Sequence, residues 1–537
     1  MIGRKFRTSY LPTLFVLFLG LSMSQAAIRD VVAFGATGNG TIDDTTAINN
    51  AIAALVPGDS LVFPCGTYMT TSQLLVSVSN VTIDGSGCAT IHGAGSGTAA
   101  ILVIGANGTT APSYGPAVAL KVTAQELATS FTTVSRLGVG PGDYVYIHQG
   151  GLDYSTDTPP GHPTNCDASS CRGEIVKVDS VDENRITVTT ALHDTYDPLI
   201  NGAVAQKMLN PVTGMTVRNI TLEGNPSLLL GFEMNGVAES LVQGVTVRNV
   251  QGAAVFTSGS FNLSYNNITV SQAGSTSCGD AVNLFIAGNL KVYGMSVSNE
   301  NPGKGTGCLA NGAFGFGVYG VANGSFSRVM VDATGADGRP FKLTAARWNT
   351  FNSLTVKNGV TANNGITLNY YSSHNTFNNC VVTNNGAATG TGSGNGGINS
   401  FGNFNQYNTF NHCTVAGNGN TQFYVSGNDA LSLGQDSHVT IRGGTFRGTN
   451  VVEPVILIAG SNASVVGANI NGQGSAGLWI VSPNACVNNN ILTGTFGSGG
   501  IVVNDPATNI GIGNILNGNS SNLGVGQCSP PASFAGD

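Results

Sequence analysis

The chain has 537 residues, a net charge of −7 and only 9% charged residues. It has no basic stripe of the kind that holds a phosphate backbone, which argues against nucleic acid as a partner. Its 75 glycines and scarce charges suit either a disordered chain or a repeat structure, so the periodicity of the sequence has to decide.

The N-terminus predicts export. Basic residues at the start precede an apolar run from Leu11 to Leu21, and small residues follow at Ser24 and Ala26. This pattern is typical of a secretory signal peptide, which we assign to residues 1–26. Because no later apolar run is long enough to cross a bilayer, we expect a secreted protein, extracellular or periplasmic.

Residues 27–95 are predicted to form an N-terminal cap and a first coil. A short strand is expected from Val31 to Phe34, and Asp43 and Asp44 are placed to cap a helix. That helix would close the open end of a β-structure with an apolar face formed by Ile48, Ala51, Ile52 and Leu55.

Residues 96–210 are expected to combine coil segments with an insertion. Between 141 and 197 the apolar residues alternate as in antiparallel strands, with a hairpin turn at Asp182-Glu183-Asn184. We interpret this part as an inserted antiparallel β-subdomain. Its charged side chains form either a solvated surface or a wall of a substrate groove.

Residues 211–537 carry a repeat. The segments NTFNSLTVKNG from Asn349, NTFNNCVVTNNG from Asn375 and NTFNHCTVAGNG from Asn408 share spaced apolar positions followed by Asn or Gly. The pattern recurs about every 27 residues, which suits one coil of a solenoid. The sequence therefore predicts an all-β protein, a right-handed parallel β-helix (solenoid) with an N-terminal capping helix and an inserted antiparallel β-subdomain.

Stacked coils place equivalent residues above one another, about 4.8 Å apart. Asparagine ladders can bond along the axis, whereas stacked charges would repel, which accounts for the scarce charge. Cys380 and Cys413 fall at one inward position of consecutive coils, either as a disulfide or as two buried thiols. Sequence neighbours suggest further disulfides, namely Cys65–Cys88, Cys166–Cys171, Cys278–Cys308 and Cys486–Cys528.

The start of the mature chain contains Gly38-Asn39-Gly40-Thr41-Ile42-Asp43-Asp44. This stretch resembles the Gly-Asp-Gly-x-x-Asp-Asp pattern of the pectate-lyase superfamily, which includes polygalacturonases, alginate epimerases and phage tailspikes. The resemblance implies a β-helix fold but no particular chemistry, since members of the superfamily do unrelated things.

A second strand precedes the repeated pattern in each coil, and its side chains alternate inward and outward. Aligning six coils predicts an outward column that faces solvent, formed by Glu233, Phe256, Asn283, Gly317, Lys342 and Thr367. Asp337 and Arg339 precede the strand of Lys342, and Asp280 lies two coils earlier, about 10 Å away. Because the coil between them is rich in Gly and Phe, we expect the charges to flank a smooth groove.

Two motifs near this groove resemble those of polygalacturonases. Gly279-Asp280-Ala281 is similar to their Gly-Asp-Asp strand, and Arg339-Pro340-Phe341-Lys342 is similar to their Arg-x-Lys motif. Ala281 replaces the second Asp, no His stands at the Gly-His-Gly place, and GAAVFTSGS lacks the Asp expected one coil earlier. These departures argue against ordinary polygalacturonase chemistry.

Two reactions suit the predicted catalytic group of Asp280, Asp337, Arg339 and Lys342. Inverting hydrolysis would use Asp280 and Asp337 as carboxyl groups roughly 10 Å apart. Elimination next to a uronic carboxylate would use Lys342 as base and Arg339 as carboxylate clamp, with Asp280 as a calcium ligand. Asp337 and Glu233 could assist in either scheme. Alternatively, Asp337 and Arg339 form an ordinary ion pair and Lys342 is a surface lysine.

The sequence thus predicts a secreted polysaccharide-degrading enzyme, a glycoside hydrolase or lyase acting on an acidic glycan such as pectin. The alternative is a non-catalytic glycan-binding or adhesive surface β-helix. Substrate contacts are expected from Glu233, Phe256, Asn283, Phe314 and Thr367. No cofactor is required unless a lyase uses Ca²⁺, and we expect a monomer with a polysaccharide substrate.

Overall fold

The computed structural model describes most of the chain after residue 25. The described ranges are 26–105, 112–149, 172–199, 202–225, 227–274, 280–298, 315–334, 340–359, 364–386, 396–401, 404–426, 436–481, 484–504, 509–510 and 513–517. Several residues named above lie outside these ranges, namely residues 1–25, Cys166, Cys171, Cys278, Gly279, Cys308, Phe314, Asp337, Arg339 and Cys528.

The main sheet contains 39 strands, which pair in parallel with their counterparts in the next coil. It winds into the predicted right-handed parallel β-helix. The apolar side chains on the inner sides of its strands form one continuous core, which extends from Val31 to Ile501. Each coil buries its apolar side only by stacking on its neighbours, as in other solenoids.

The strands form three columns along the β-helix, and the longest strands bend from one column into the next. The column with the predicted outward positions is called the site sheet, and it consists of Leu74–Val76, Gly97–Gly105, Leu228–Asn235, Val255–Ser271, Val282–Gly288, Phe316–Tyr319, Phe341–Thr344, Ile366–Asn369, Ile398–Phe401, Phe423–Val425, Ile456–Ile458, Leu478–Ile480 and Ile501–Val503. The second column adds Ile28–Asp30, Ser60–Val62, Thr82–Gly93, Val212–Thr213, Thr216–Glu223, Val237–Gln243, Lys291–Ser298, Ser325–Ser327, Thr350–Asn352, Thr376–Asn378, Thr409–Asn411, Thr440–Arg442, Ser464–Val466, Cys486–Asn488 and Asn509–Ile510. The third column adds Asn39–Asp43, Gly66–Thr70, Thr246–Arg248, Met330–Asp332, Thr355–Lys357, Val381–Thr383, Thr414–Ala416, Thr445–Thr449, Asn469–Gly474, Ile491–Phe496 and Ile515–Asn517.

The corner between the second and third columns explains part of the Asn and Gly content. Asn219, Gly244, Asn267 and Asn379 occupy this corner in four coils, with φ values of 54°, 60°, 53° and 54°. Most side chains are strained in this left-handed conformation, whereas Gly and Asn adopt it readily. The corner therefore favours Asn or Gly between the first two apolar positions of the repeat, although Arg328, Ser353 and His412 adopt the same conformation in three other coils.

A buried asparagine ladder crosses the coils, as the sequence predicts. Asn349 donates from Nδ2 to Oδ1 of Asn375 at 3.0 Å, and Asn375 donates from Nδ2 to Oδ1 of Asn408 at 3.1 Å. Asn375 also donates to the carbonyl of Ala346 at 2.8 Å. Each side-chain amide forms hydrogen bonds with backbone and side-chain groups of a neighbouring coil. A charged side chain repeated at this position in every coil would be repelled by its neighbours.

Two of the suggested disulfides are confirmed. Cys65 is bonded to Cys88, and Cys380 is bonded to Cys413 inside the core rather than leaving two thiols there. Cys486 also forms a disulfide, with a partner outside the described residues. The Cys380–Cys413 bond links two consecutive coils, because these residues follow paired strands of the second column.

The N-terminal cap differs in part from the prediction. An α-helix covers Thr45–Ala53 and buries the expected apolar face. The expected strand from Val31 to Phe34 is wrong, since these residues form a 3₁₀-helix that ends at Gly35 with φ of 101°. Asp43 accepts a hydrogen bond from the amide of Thr45 at 3.0 Å, whereas Asp44 accepts from the amides of Thr37 and Gly38. Only Asp43 therefore bonds to the first turn of the helix.

The insertion is a six-stranded antiparallel sheet, with the predicted hairpin at Glu183. Its strands are Val118–Ala119, Ser130–Thr132, Tyr144–Gln149, Arg172–Asp182, Arg185–Val188 and Val204–Lys207. One side of this sheet packs on the corner that follows the site sheet, through a cluster of Tyr144, Tyr146, Ile175, Met208, Ala238, Phe261 and Ile286. The insertion is therefore fixed beside the site sheet.

Candidate functional site

The predicted outward column is confirmed residue by residue. Glu233 pairs with Phe256, Phe256 with Asn283, and Asn283 with Gly317. Gly317 then pairs with Lys342, and Lys342 with Thr367. Apart from the buried Thr257, the residues before and after these positions belong to the apolar core, so the column points away from it.

The expectation that this column faces solvent is wrong. The side chains of Glu233, Asn283, Lys342 and Thr367 are only 2%, 3%, 6% and 1% exposed, and Phe256 is half-buried. Strand alternation fixes the direction in which a side chain points, but it does not reveal what else in the chain comes to lie near it. The outward side of these coils is thus a buried polar surface.

Asp280, Tyr319 and Lys342 surround Gly317. A Cβ atom at Gly317 would overlap both Oδ2 of Asp280 and the ring of Tyr319. The Nζ atom of Lys342, one coil further on, lies 5.4 Å from the centroid of the same ring, within cation–π range. Because glycine has no side chain, a carboxylate, a phenol and an ammonium group converge over one strand. We call these three residues the Gly317 cluster.

The Gly317 cluster corrects the expected groove. Asp280 and Lys342 do belong to coils on either side of the Gly317 coil, as predicted. The coil between them is not a smooth floor, however, because Tyr319 occupies it. Tyr319 was missed because the alignment stopped at the first outward residue, and strand alternation places the next outward residue two positions later.

A row of polar atoms without hydrogen-bond partners flanks the cluster. Oδ1 of Asn283, Oγ1 of Thr344, Oγ1 of Thr367 and Oδ1 of Asn369 are all buried, and none of them has a partner. A buried polar group that lacks a partner costs about 1–3 kcal/mol, and such groups are rare unless a water or ligand satisfies them. The four atoms belong to three strands of the site sheet, namely Val282–Gly288, Phe341–Thr344 and Ile366–Asn369.

Glu233 lies apart from this cluster. It is two coils before the coil of Asp280 and four before that of Lys342, or about 10 and 19 Å along the axis. Burial raises the pKa of Glu233, although Asn235 donates a hydrogen bond to its carboxylate at 2.7 Å. The structure therefore brings together Asp280 and Lys342 but leaves Glu233 at the far side of the buried surface.

Charged side chains fasten the insertion to the coil that carries Lys342. Arg347, five residues after Lys342, donates to the carbonyl of Gly173 at 3.0 Å and lies 3.4 Å from the carboxylate of Asp194. Arg172 forms two hydrogen bonds with Asp194, at 2.8 and 2.7 Å. Burial alone would raise the pKa of Asp194, but the two guanidinium groups hold this pKa below its usual range.

The insertion is therefore more than a solvated surface. Glu174 is buried within it and accepts hydrogen bonds from the amide of His193 at 2.8 Å and the hydroxyl of Tyr196 at 3.0 Å. The guanidinium of Arg172 also lies 4.7 Å from the ring centroid of Tyr371, whose ring packs near Tyr319. These contacts make the insertion a fixed wall beside the Gly317 cluster.

The described residues do not assemble a calcium site at Asp280. In the part of the chain that the structure describes, no group of three or more His, Cys, Asp or Glu side chains is placed to hold a metal ion. Calcium binding requires six to eight oxygen ligands, and the ammonium group of Lys342, in the same cluster as Asp280, would repel the ion. We therefore derive no chemical step that uses calcium.

The comparisons with known proteins agree with the fold. Residues 28–283 match the family described as rhamnogalacturonase A/epimerase, pectate lyase-like. This part of the chain is therefore similar to pectate lyase-like proteins. The matched part includes Asp280 and ends at Asn283, before Tyr319 and Lys342. No sequence among the curated proteins matches the chain.

Several solved structures resemble this chain in fold. The tailspike protein gp49 of Pseudomonas phage LKA1 has a TM-score of 0.57 and 15% identity, over 87% of this chain and 83% of the tailspike. The A-module of the mannuronan C-5 epimerase AlgE6 of Azotobacter vinelandii has a TM-score of 0.49 and 13% identity, over 90% and 98% of the two chains. At these identities the tailspike shows the shared fold alone. No helix in the described ranges is long and apolar enough to cross a membrane.

Proposed function

We propose that the protein is a secreted, monomeric enzyme that degrades an acidic polysaccharide such as pectin. The observation that carries the proposal is the Gly317 cluster, where Asp280, Tyr319 and Lys342 converge beside a row of unpaired polar atoms. The cluster supplies groups that can move a proton, and the row supplies partners for the hydroxyl groups of a sugar chain. The disulfides suit an oxidising, extracytoplasmic compartment.

Elimination is the reaction that suits this cluster best. Lys342 first loses its own proton to solvent and, as the amine, takes the proton from the carbon next to a uronic carboxylate. The electron pair of that C–H bond forms a double bond, and the bond from the neighbouring carbon to the glycosidic oxygen breaks. The phenol of Tyr319 donates a proton to that departing oxygen. Asp280, buried against Gly317, orients the lysine and the phenol.

Digestion of a panel of plant and bacterial polysaccharides tests the proposal. Ultraviolet absorbance of the unsaturated uronate and the number of new reducing ends should rise together. A rise in reducing ends alone would show hydrolysis, with Asp280 as one of the two carboxyl groups. If no polymer is cleaved but one is bound, the protein is a glycan-binding β-helix and the catalytic proposal is wrong.

The variant Lys342→Met tests the assignment of the base. It keeps the length of the buried side chain but removes the amine, so we expect a rate reduced by about 100-fold or more with unchanged polymer binding. The matched control is Lys291→Met, which changes an exposed lysine of the second column. Thermal unfolding of both variants shows whether the fold is retained. A K342M variant that is folded and fully active would exclude Lys342 as the base.

A further inference from the structure

The outward side of the site sheet changes character after Asn399. The next four outward residues are Tyr424, Leu457, Trp479 and Val502, and each pairs in register with the one before it. Parallel strands lie about 4.8 Å apart, so the four residues span roughly 14 Å. We call them the apolar strip. It continues the same column that contains Lys342, Thr367 and Asn399.

The apolar strip is more open than the polar surface before it. Asn283, Lys342, Thr367 and Asn399 are buried, whereas all four residues of the strip are half-buried. The described contacts of the insertion reach the coil that contains Tyr371 and His374, which precedes the strip. A continuous apolar surface that remains partly open is typical of a binding site.

Three features favour a sugar chain as the occupant of the strip. It continues the column of Asn283 and Thr367, which belong to the row of unpaired polar atoms, so one extended ligand can contact both. Its spacing of one side chain per coil is close to the length that one sugar residue adds to an extended polysaccharide. Trp479 also has a buried indole N–H without a hydrogen-bond partner, which a sugar hydroxyl can accept while the apolar ring packs against the sugar.

We propose that the apolar strip is a distal subsite that binds a further stretch of the polysaccharide whose degradation is proposed above. Tyr424 and Trp479 lie three and five coils beyond Lys342, or about 14 and 24 Å. A short oligosaccharide at the Gly317 cluster cannot reach them, whereas a polymer can. The strip therefore sets the preference for long chains and does not take part in the reaction.

The test uses the mature chain with Tyr424→Ala and Trp479→Ala, and polygalacturonate, alginate and xylan as polymer probes in affinity gels. Each variant should bind the preferred polymer about tenfold more weakly, as expected for removal of one buried aromatic contact. Cleavage of an oligosaccharide of about three residues, too short to reach the strip, should be unchanged. The control is Tyr293→Ala, which removes an exposed tyrosine of the second column.

Fluorescence gives an independent measurement, because the chain contains only two tryptophans. In a Trp348→Phe variant the emission comes from Trp479 alone. The polymer should shift that emission, and the short oligosaccharide should not. Trp348 lies outside the strip, where it donates from Nε1 to Glu126 at 2.7 Å, so its replacement changes no residue of the strip.

Each outcome decides the proposal. Equal polymer binding by Y424A, W479A and the wild type would overturn the distal subsite but leave the catalytic proposal intact if the wild type still cleaves. A lower molecular mass of W479A in light scattering would show that the strip contacts a second copy, which also overturns it. A wild type that neither binds nor cleaves any of the three polymers would count against both proposals.

Discussion

The Gly317 cluster can be tested by adding a single methyl group. Gly317 has no left-handed φ, so alanine can adopt its backbone conformation. The added Cβ would overlap the Asp280 carboxylate and the Tyr319 ring. Gly317→Ala therefore perturbs the proposed site while leaving the strand and its core side chains in place.

The expected magnitude follows from the geometry. Carbon atoms in ordinary contact lie about 3.5–4.0 Å apart, so Asp280 or Tyr319 must move by roughly 1 Å to accept the methyl group. Overpacking of this kind costs about 1–3 kcal/mol of stability. A displacement of about 1 Å in a catalytic group can lower the rate roughly 100-fold. We therefore expect a large loss of activity with a modest loss of stability.

The assay compares initial cleavage rates and thermal unfolding of G317A with those of a matched variant. Gly140→Ala is the control, because a Cβ at Gly140 would meet no atom within 4 Å and its φ is not left-handed. G140A should match the wild type in both measurements. A G317A variant that cleaves at the wild-type rate would refute the assignment of the reaction to Asp280, Tyr319 and Lys342.

Two further predictions concern stability. Asn375→Ala removes hydrogen bonds to Ala346 and Asn408 and leaves buried groups of Asn349 unpaired. We therefore expect denaturant unfolding to show about 3–5 kcal/mol of destabilisation. The control is Asn378→Ala at a half-buried position, which should cost less than about 1 kcal/mol. A cost of N375A as small as that of N378A would contradict the ladder argument. Burial lowers the pKa of His374 from 6.5 to about 4. As the pH falls, this histidine is therefore protonated in the unfolded chain before it is protonated in the folded one. The free energy of unfolding should fall by about 3 kcal/mol between pH 6.5 and pH 4. His374→Phe keeps the ring between Trp348 and Tyr407 and should flatten this pH dependence, and an unchanged slope would assign it to other groups.

Much of the fold could be predicted because a solenoid repeats its local rules. The apolar spacing near Asn349, Asn375 and Asn408 defines each coil, and stacking makes one correct alignment valid for many coils. The same register predicted that Glu233, Asn283 and Lys342 share a column, and that Cys380 lies next to Cys413. The N-terminal 3₁₀-helix was missed because a single short apolar run does not distinguish a strand from a tight turn.

The sequence by itself determined the coil, the outward column, the capping helix and the inserted sheet, since each depends on periodicity and turn residues close together in the chain. Only the tertiary structure decided that the outward column is buried and that Tyr319 fills the space above Gly317. It also decided that Arg347 joins the insertion through Asp194. The burial and the Arg347–Asp194 contact depend on residues that are far apart in sequence, and the position of Tyr319 depends on the space above Gly317, which has no side chain. No local sequence pattern encodes these features.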